Sequence, residues 1–432
     1  MNAPGVAGGI TTSQSPPFSV PVRYMLLGIL GFATFAVDLA LQSAHLSQVS
    51  VMAPYGVALT HLLTLGSLLA FVMGAVYQLS TVAFLIPIRA VVVARWNFWL
   101  YAVGVAGLVA SMAKWSAIGL AVFGSITTLS IYLYAIVVIV SVVRTSVRGP
   151  MQGFVLSAHA YLILAVTDAL LMVLSFSVPA LAPIEGKLLL THIVLAMGGF
   201  FTFLIMGFSF KLLPMFTLSH GYATWRQKWT LYASHVALWS LVAGIWTDAR
   251  WLLGAGGAFG VFALVNQWFD LRGIVKKRMR KRVEPPMHAV VYAVVAGGLA
   301  LLLLLLQVFL ARGTTTWQST VTFYLLGFVA LTVMGYSYKI VPFLVWTERY
   351  SKKRVGGKSV IISDLINLNH ALPVLVGFAV GFAVLAVSAA ASFGIGLIVG
   401  AVATSLAVLA YAVQITIVME PNKLGRELLE RD

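Results

Sequence analysis

The amino-acid sequence predicts an all-α membrane protein of about twelve transmembrane helices in three successive, pseudo-threefold-related four-helix units. Three observations carry that prediction. Apolar runs dominate the chain, basic residues fall on alternate connections between the runs, and one glycine-methionine pattern returns three times at nearly equal spacing.

Hydrophobic residues make up 60% of the 432 positions and charged residues only 9%, against roughly 45–50% and about 25% in soluble domains. The runs reach the roughly 20 apolar residues that a helix needs to cross a bilayer. They span about 24–44, 57–86, 96–115, 117–143, 150–178, 187–217, 229–247, 250–271, 286–311, 317–346, 362–388 and 391–418.

The net charge of +16 would point to nucleic acid in a soluble chain. Here it follows topology. With the N-terminus inside, only Lys114, Lys187, Arg250 and Arg312 fall on the outer side. The other 24 of the 28 Lys and Arg lie in or beside cytoplasmic segments, from Arg23 through the cluster Lys276–Arg282 to Arg431. Short cytoplasmic loops carry such an excess, so both termini are expected in the cytoplasm and the protein in a prokaryotic inner membrane. Its partner is the lipid bilayer, with no role for nucleic acid. Cysteine is absent, which excludes disulfides, thiolate metal sites and covalent haem attachment. No phosphate loop, dinucleotide glycine motif or Ser/His/Asp arrangement of a soluble enzyme is present.

The repeat sets the expected organisation. Gly66–Val82 reads GSLLAFVMGAVYQLSTV, Gly198–Met215 reads GGFFTFLIMGFSFKLLPM and Gly327–Phe343 reads GFVALTVMGYSYKIVPF. The common core aligns Gly66/Gly199/Gly327, Met73/Met206/Met334, Gly74/Gly207/Gly335, Tyr77/Phe210/Tyr338 and Gln78/Lys211/Lys339. An even number of helices per unit gives parallel repeats, related by an axis along the membrane normal. Their glycines allow close helix approach in lipid and put the second, sixth and tenth spans at the centre. The expected divisions are a disordered lead at 1–20, units at 21–146, 147–284 and 285–420, and a cytoplasmic tail at 421–432.

With that layout, Thr60-His61 before LLTLGSLLAFVMGAVYQ and Thr191-His192 before LAMGGFFTFLIMGFSFKLLP resemble the histidine-led central helices of the heme-copper oxidase subunit I superfamily. They are similar also to its NnrS-like branch, multi-pass haem and copper proteins linked to nitric oxide stress. The resemblance implies twelve helices in three arcs, haem, and a role in electron transfer or nitric oxide and redox response beside other respiratory subunits. It implies a low-spin haem ligand at His61, whereas at the position of His192 the family places copper. His220, in Ser219-His220-Gly221, resembles an NnrS-like element but reads equally as a solvated loop residue.

The chain also departs from the family. The tenth span has no histidine, the His-His copper ligands after the seventh helix are missing, and so is the sixth-helix histidine with its tyrosine. A conventional terminal oxidase or nitric oxide reductase centre cannot be assembled.

Burying ionisable groups in a membrane is costly, so the eight histidines are functional candidates. His61 and His192 lie in the outer third of spans that run inward. The repeat puts His61 opposite Val194, two residues out of register with His192. Two residues turn a helix by about 200°, as helices related by a threefold axis need if their side chains are to face each other. The pair is therefore expected to bind haem b axially. Asp38 and His45 share a face of the first span, and Asp168 follows Asp38 by 130 residues. They are candidates for copper, protons or haem propionates, or for plain interhelical hydrogen bonds. His159, His235, His288 and His370 are expected near cytoplasmic headgroups, Lys211 and Lys339 are expected to snorkel, and the basic cluster should contact anionic lipid. Two other functions stay open: a transporter of metal ion, proton or small solute, and a cofactor-free assembly or structural subunit.

Overall fold

The computed structural model describes residues 15–46, 50–310, 314–351, 354–355 and 358–420. Eleven helices among them are long and apolar enough to cross a membrane. In chain order, with one further helix, they are α1 (Ser19–Leu41), α2 (Pro54–Phe84), α3 (Val91–Lys114), α4 (Ala117–Val142), α5 (Pro150–Leu174), α6 (Pro179–Thr217), α7 (Trp225–Thr247), α8 (Arg250–Lys276), α9 (Pro285–Leu310), α10 (Trp317–Arg349), α11 (Leu368–Ala390) and α12 (Gly394–Met419). The further helix is α7, where a seventh span is expected. At 23 residues it matches the shortest of the others but is less apolar, because it opens on Trp-Arg-Gln-Lys and carries His235. Its Trp225, Trp229, Tyr232, Val236, Trp239 and Trp246 lie exposed, an apolar stripe at helical spacing. The outer surface of the bundle shows many such large apolar side chains, among them Leu30, Trp96, Ile118, Trp251 and Leu406. A surface this apolar is suited to lipid, not water.

The first helix starts at Ser19, so the expected lead loses its last two residues to α1. The rest of that lead through residue 14, and the expected tail at 421–432, lie outside the described residues. The only strands among the described residues are the two-residue pair Arg354–Val355 and Lys358–Ser359.

Each helix packs on the next, and α12 returns to α1, so the neighbours form a closed ring. At the end that carries the basic residues, Arg349 of α10 closes the ring: it donates to the carbonyls of Met419 and Glu420, both at 3.0 Å, and lies over the Phe18 ring. Helix α10 touches both α2 and α6. Its most apolar stretch is 100% buried, against 56% for α2 and 44% for α6. The tenth span is thus central as expected, while the second and sixth are only partly enclosed.

Glycines set the closest crossings. A Cβ on Gly31 of α1 would collide with the Gly66 carbonyl of α2, and one on Gly28 would meet the Phe71 amide nitrogen. On the next crossings, Gly207 abuts Phe154 of α5 and Gly335 abuts Pro286 and Val290 of α9. These are positions of the aligned motif, and small residues there let backbones meet where no hydrophobic drive exists.

The motif helices are not uniformly α-helical. Helices α2, α6 and α10 each contain an eight-residue π-helical stretch, at Leu62–Leu69, Val194–Phe201 and Phe323–Ala330. The starts are 132 and 129 residues apart, within one residue of the sequence offsets. Two hydroxyls mark the wider turn by bonding five residues back: Ser67 to the Leu62 carbonyl and Thr202 to the Met197 carbonyl, both at 3.0 Å. A π segment disturbs the helical ladder and so frees carbonyls for other donors. Tyr101 of α3 donates to the Leu65 carbonyl at 2.7 Å. Tyr324 of α10 donates to the Met197 carbonyl and sits 2.9 Å from Thr202 Oγ1. Side chains of neighbouring helices thereby hold two of the three segments.

Gly31→Val forces a branched side chain onto the Gly66 backbone. Overpacking costs about 1–3 kcal/mol where side chains can yield, and here the obstacle is a main chain. A clear fall in melting temperature in detergent is expected, while Gly186→Ala, where a Cβ meets nothing within 4 Å, should melt like the parent. Equal melting of Gly31→Val would show that the α1–α2 crossing is looser than described.

Candidate functional site

The π segments lie directly after the two histidines singled out from the sequence. His61 ends the α-helical first part of α2, Pro54–His61, and His192 is the penultimate residue of the α-helical part of α6 at Glu185–Ile193. Their imidazoles come together: the ring centres are 6.3 Å apart and the planes differ by 16°. The out-of-register pairing expected from the repeat is what brings the two rings to one place.

Each ring is fixed through the same nitrogen. His61 Nδ1 lies 2.8 Å from the Val57 carbonyl, one turn back in its own helix. His192 Nδ1 lies 2.7 Å from the Ala165 carbonyl of α5. A carbonyl can only accept, so each Nδ1 carries the proton and each Nε2 keeps its lone pair. No hydrogen bond to either Nε2 occurs among the described contacts. Metal-binding histidines are commonly oriented in this way, with the far N–H given to a carbonyl and the basic nitrogen left open.

The segments that carry the rings are tied at their outer ends. Tyr55, in the first turns of α2, donates to Asp38 of α1 at 2.8 Å. On α6, Lys187 pairs with Asp248 at 2.7 Å and donates to the Trp246 carbonyl at 3.0 Å. Trp246 Nε1 in turn donates to Thr191, the residue before His192, at 3.0 Å. The Lys187–Asp248 pair is exposed and worth little by itself; with the indole it fixes the direction of the short helix.

Of the candidate metal residues, Asp168 lies one turn beyond Ala165 on α5, and its Oδ2 is buried without a hydrogen bond. Asp38 is engaged by Tyr55, and His45 stands exposed on a single 3₁₀ turn, Ser43–His45. No group of three or more His, Cys, Asp or Glu that could hold a metal ion forms among the described residues.

The remaining histidines divide. His288, His370 and His220 are exposed, as expected of residues near headgroups or in loops. His159 is fully buried among helices, with Nδ1 2.7 Å from the Val155 carbonyl and Nε2 3.1 Å from the Tyr134 hydroxyl. His235 is half-buried, its Nδ1 2.5 Å from the Tyr161 hydroxyl. Phenols of neighbouring helices thus offer both a partner inside the bundle. Lys339 does not snorkel to lipid either. It is 8% exposed and ion-paired with Glu284, which also pairs with Arg280.

Several contributors have no local signal in the sequence. Tyr55, Trp246, Tyr101 and Tyr324 act through contacts 17 to 127 residues away, and nothing in a single helix marks a tyrosine as the partner of a distant carbonyl. No family model matches this chain, and no curated protein matches it.

The tautomers can be read directly. In ¹⁵N-histidine-labelled protein in bilayers, the resonances lost in His61→Gln and His192→Gln are expected to show a protonated Nδ1 and an unprotonated Nε2. A protonated Nε2 at either residue would refute the arrangement.

Proposed function

We propose that the chain is a haem-binding integral membrane protein on a subunit I-like scaffold, serving electron transfer or a nitric oxide and redox response, with His61 and His192 as axial ligands of a b-type haem. The observation that carries this reading is the spacing of the two rings. A bond between a metal and an imidazole nitrogen is about 2.0–2.1 Å, and the ring centre lies about 1.1 Å behind that nitrogen. Two imidazoles on opposite sides of one metal atom therefore have centres about 6.2–6.4 Å apart, and the observed 6.3 Å falls in that range. Near-parallel planes and two uncommitted Nε2 atoms complete the fit.

Bound haem would supply one-electron chemistry, with a potential tuned by its ligands and their hydrogen bonds. The protein's part is positional. The Val57 and Ala165 carbonyls hold the imidazoles as Nε2 donors and strengthen them as ligands. Tyr55 with Asp38, and Lys187 with Trp246 and Asp248, hold the two helix segments. Asp168 offers an unpaired carboxyl oxygen close to the carbonyl that holds His192, suited to a propionate when protonated. We assign no separate copper site to Asp38, His45 and Asp168, because no third ligand joins any pair of them among the described residues.

The same reading takes the bundle as three four-helix units, twelve spans with both termini cytoplasmic. It is supported by the three π segments at matching repeat positions and by the central place of α10. It leaves the protein outside the conventional oxygen and nitric oxide reductases, since α10 brings no histidine to the other two segments.

Protein purified from haem-supplied cells is expected to show a Soret band, sharp reduced α and β bands and haem by pyridine haemochrome. His61→Ala and His192→Ala should each remove the low-spin spectrum, and Asp38→Asn should keep it. A colourless parent overturns the proposal, and an unchanged spectrum in both alanine variants moves the ligands elsewhere.

Topology is open to test because the chain has no cysteine. In intact spheroplasts, a membrane-impermeant maleimide should label Gly186→Cys and should reach Arg278→Cys only after permeabilisation. Labelling in the reverse order would invert the assigned orientation.

A further inference from the structure

Two buried polar side chains of α8 stand apart from the histidine site. Asp270 is 3% exposed and Gln267 is 1% exposed. Neither Asp270 oxygen has a hydrogen-bond partner, nor does the oxygen or nitrogen of the Gln267 carboxamide. They are three residues apart and so share a helix face. Four unsatisfied polar atoms in one place, inside a membrane helix, represent a cost that a folded protein avoids unless something else supplies the partners.

The surroundings of this face are polar on one side. Gly244 abuts Leu253 and Gly256 abuts Leu241, which sets the antiparallel register of α7 on α8. That register puts Gln227 opposite Asp270 and Thr230 opposite Gln267, and both are buried. The Thr230 hydroxyl donates to the Arg226 carbonyl at 3.1 Å, so its oxygen still has a lone pair to give. Helix α9 packs on the other side, where the register set by Gly257 against Leu305 and Gly260 against Leu301 brings up Val290, Val291 and Val294. Arg226 acts on Asp270 electrostatically. It forms no ion pair with it and lies 4.6 Å from the Trp225 ring centre instead.

We propose that Asp270 and Gln267 form a binding site for a monovalent alkali cation of sodium's size, completed by oxygens of Gln227 and Thr230. A carboxylate accepts only, and so does a carboxamide oxygen; an oxygen-coordinated cation serves these three oxygens together, with the Gln267 NH2, a donor, turned away from the ion. The site has one formal negative charge and neutral oxygens otherwise, which matches a single positive charge and not a divalent ion. Asp270 lies six residues from Lys276, about 9 Å along the helix axis, so the ion enters from the end of the bundle with the basic residues. The two side chains lie on α8, which packs against α7, α9 and the Thr202–Thr217 part of α6, and the site does not depend on haem at His61 and His192.

The test uses the full-length protein and dicyclohexylcarbodiimide, which modifies protonated carboxyls in apolar surroundings. Peptide mass spectrometry should find Asp270 modified in choline chloride, and about fivefold less in sodium chloride once sodium exceeds its dissociation constant several times. Asp168 serves as the internal control, with modification independent of sodium. Gln267→Leu should keep the modification of Asp270 and lose the protection. Equal modification in sodium and choline overturns the site, as does full protection in Gln267→Leu. If the reagent does not reach Asp270, the melting temperature decides: sodium should raise it over choline in the parent and not in Asp270→Asn, and the absence of any sodium-specific rise in the parent rejects the proposal.

Discussion

Within hydrocarbon a backbone carbonyl released from its helical partner has no water to turn to, and α2, α6 and α10 each contain a stretch where the ordinary ladder is interrupted. Much of the inner architecture answers that constraint. The hydroxyl of Tyr101 takes up Leu65, and Tyr324 takes up Met197, with Thr202 beside it. Each of these bonds crosses between helices, so the local irregularity becomes an interhelical tie. Tyr324 joins α10 to α6 a few residues after His192. The segments that follow the histidines are thereby fixed by the chains around them and not only by their own helices.

The same rule sorts the polar side chains. Most of those inside the bundle are paired: His159 with Tyr134, His235 with Tyr161, Tyr336 with Ser209 and Tyr411 with Ser337. Others keep a buried atom without a hydrogen bond, among them Tyr77, Gln78, Asn97, Ser130, Asp168, Gln307 and Ser405. Gln267 and Asp270 differ in that all four of their side-chain polar atoms are left so, on one face of one helix.

Much of this is legible in the sequence, and the limit of legibility is physical. Apolar runs reveal the helices because crossing lipid demands a length and a composition that soluble segments lack. Even α7, below the others in apolarity, is found where its run lies. The His61 and His192 pairing can be anticipated because both the repeat and the period of a helix are regular. The π segments cannot: Ser67 and Thr202 bond five residues back, but serine or threonine at such positions is compatible with ordinary helix, and no such bond is seen at Phe323–Ala330 among the described contacts. The inward turn of His159 and His235 depends on phenols that reach them from elsewhere in the chain. Asp270 is a different case, since an acid inside an apolar segment is a recognised sign of function. Its closeness to the run Lys276–Arg282 makes it read as the edge of a loop.

The third repeat differs from the first two in carrying no histidine. Helix α10 is the most enclosed of the three motif helices and keeps the glycines, the methionine and the π segment, yet the repeat aligns Thr322 with His61 and Thr320 with His192. The Tyr324 hydroxyl is spent on the Met197 carbonyl of α6 and cannot also serve a metal. The centre of the bundle is therefore committed to holding the segment after His192 in place. The two imidazoles stand instead between α2 and α6, and a haem held there, as proposed, would be carried by His61 and His192, with α10 contributing position and not a ligand.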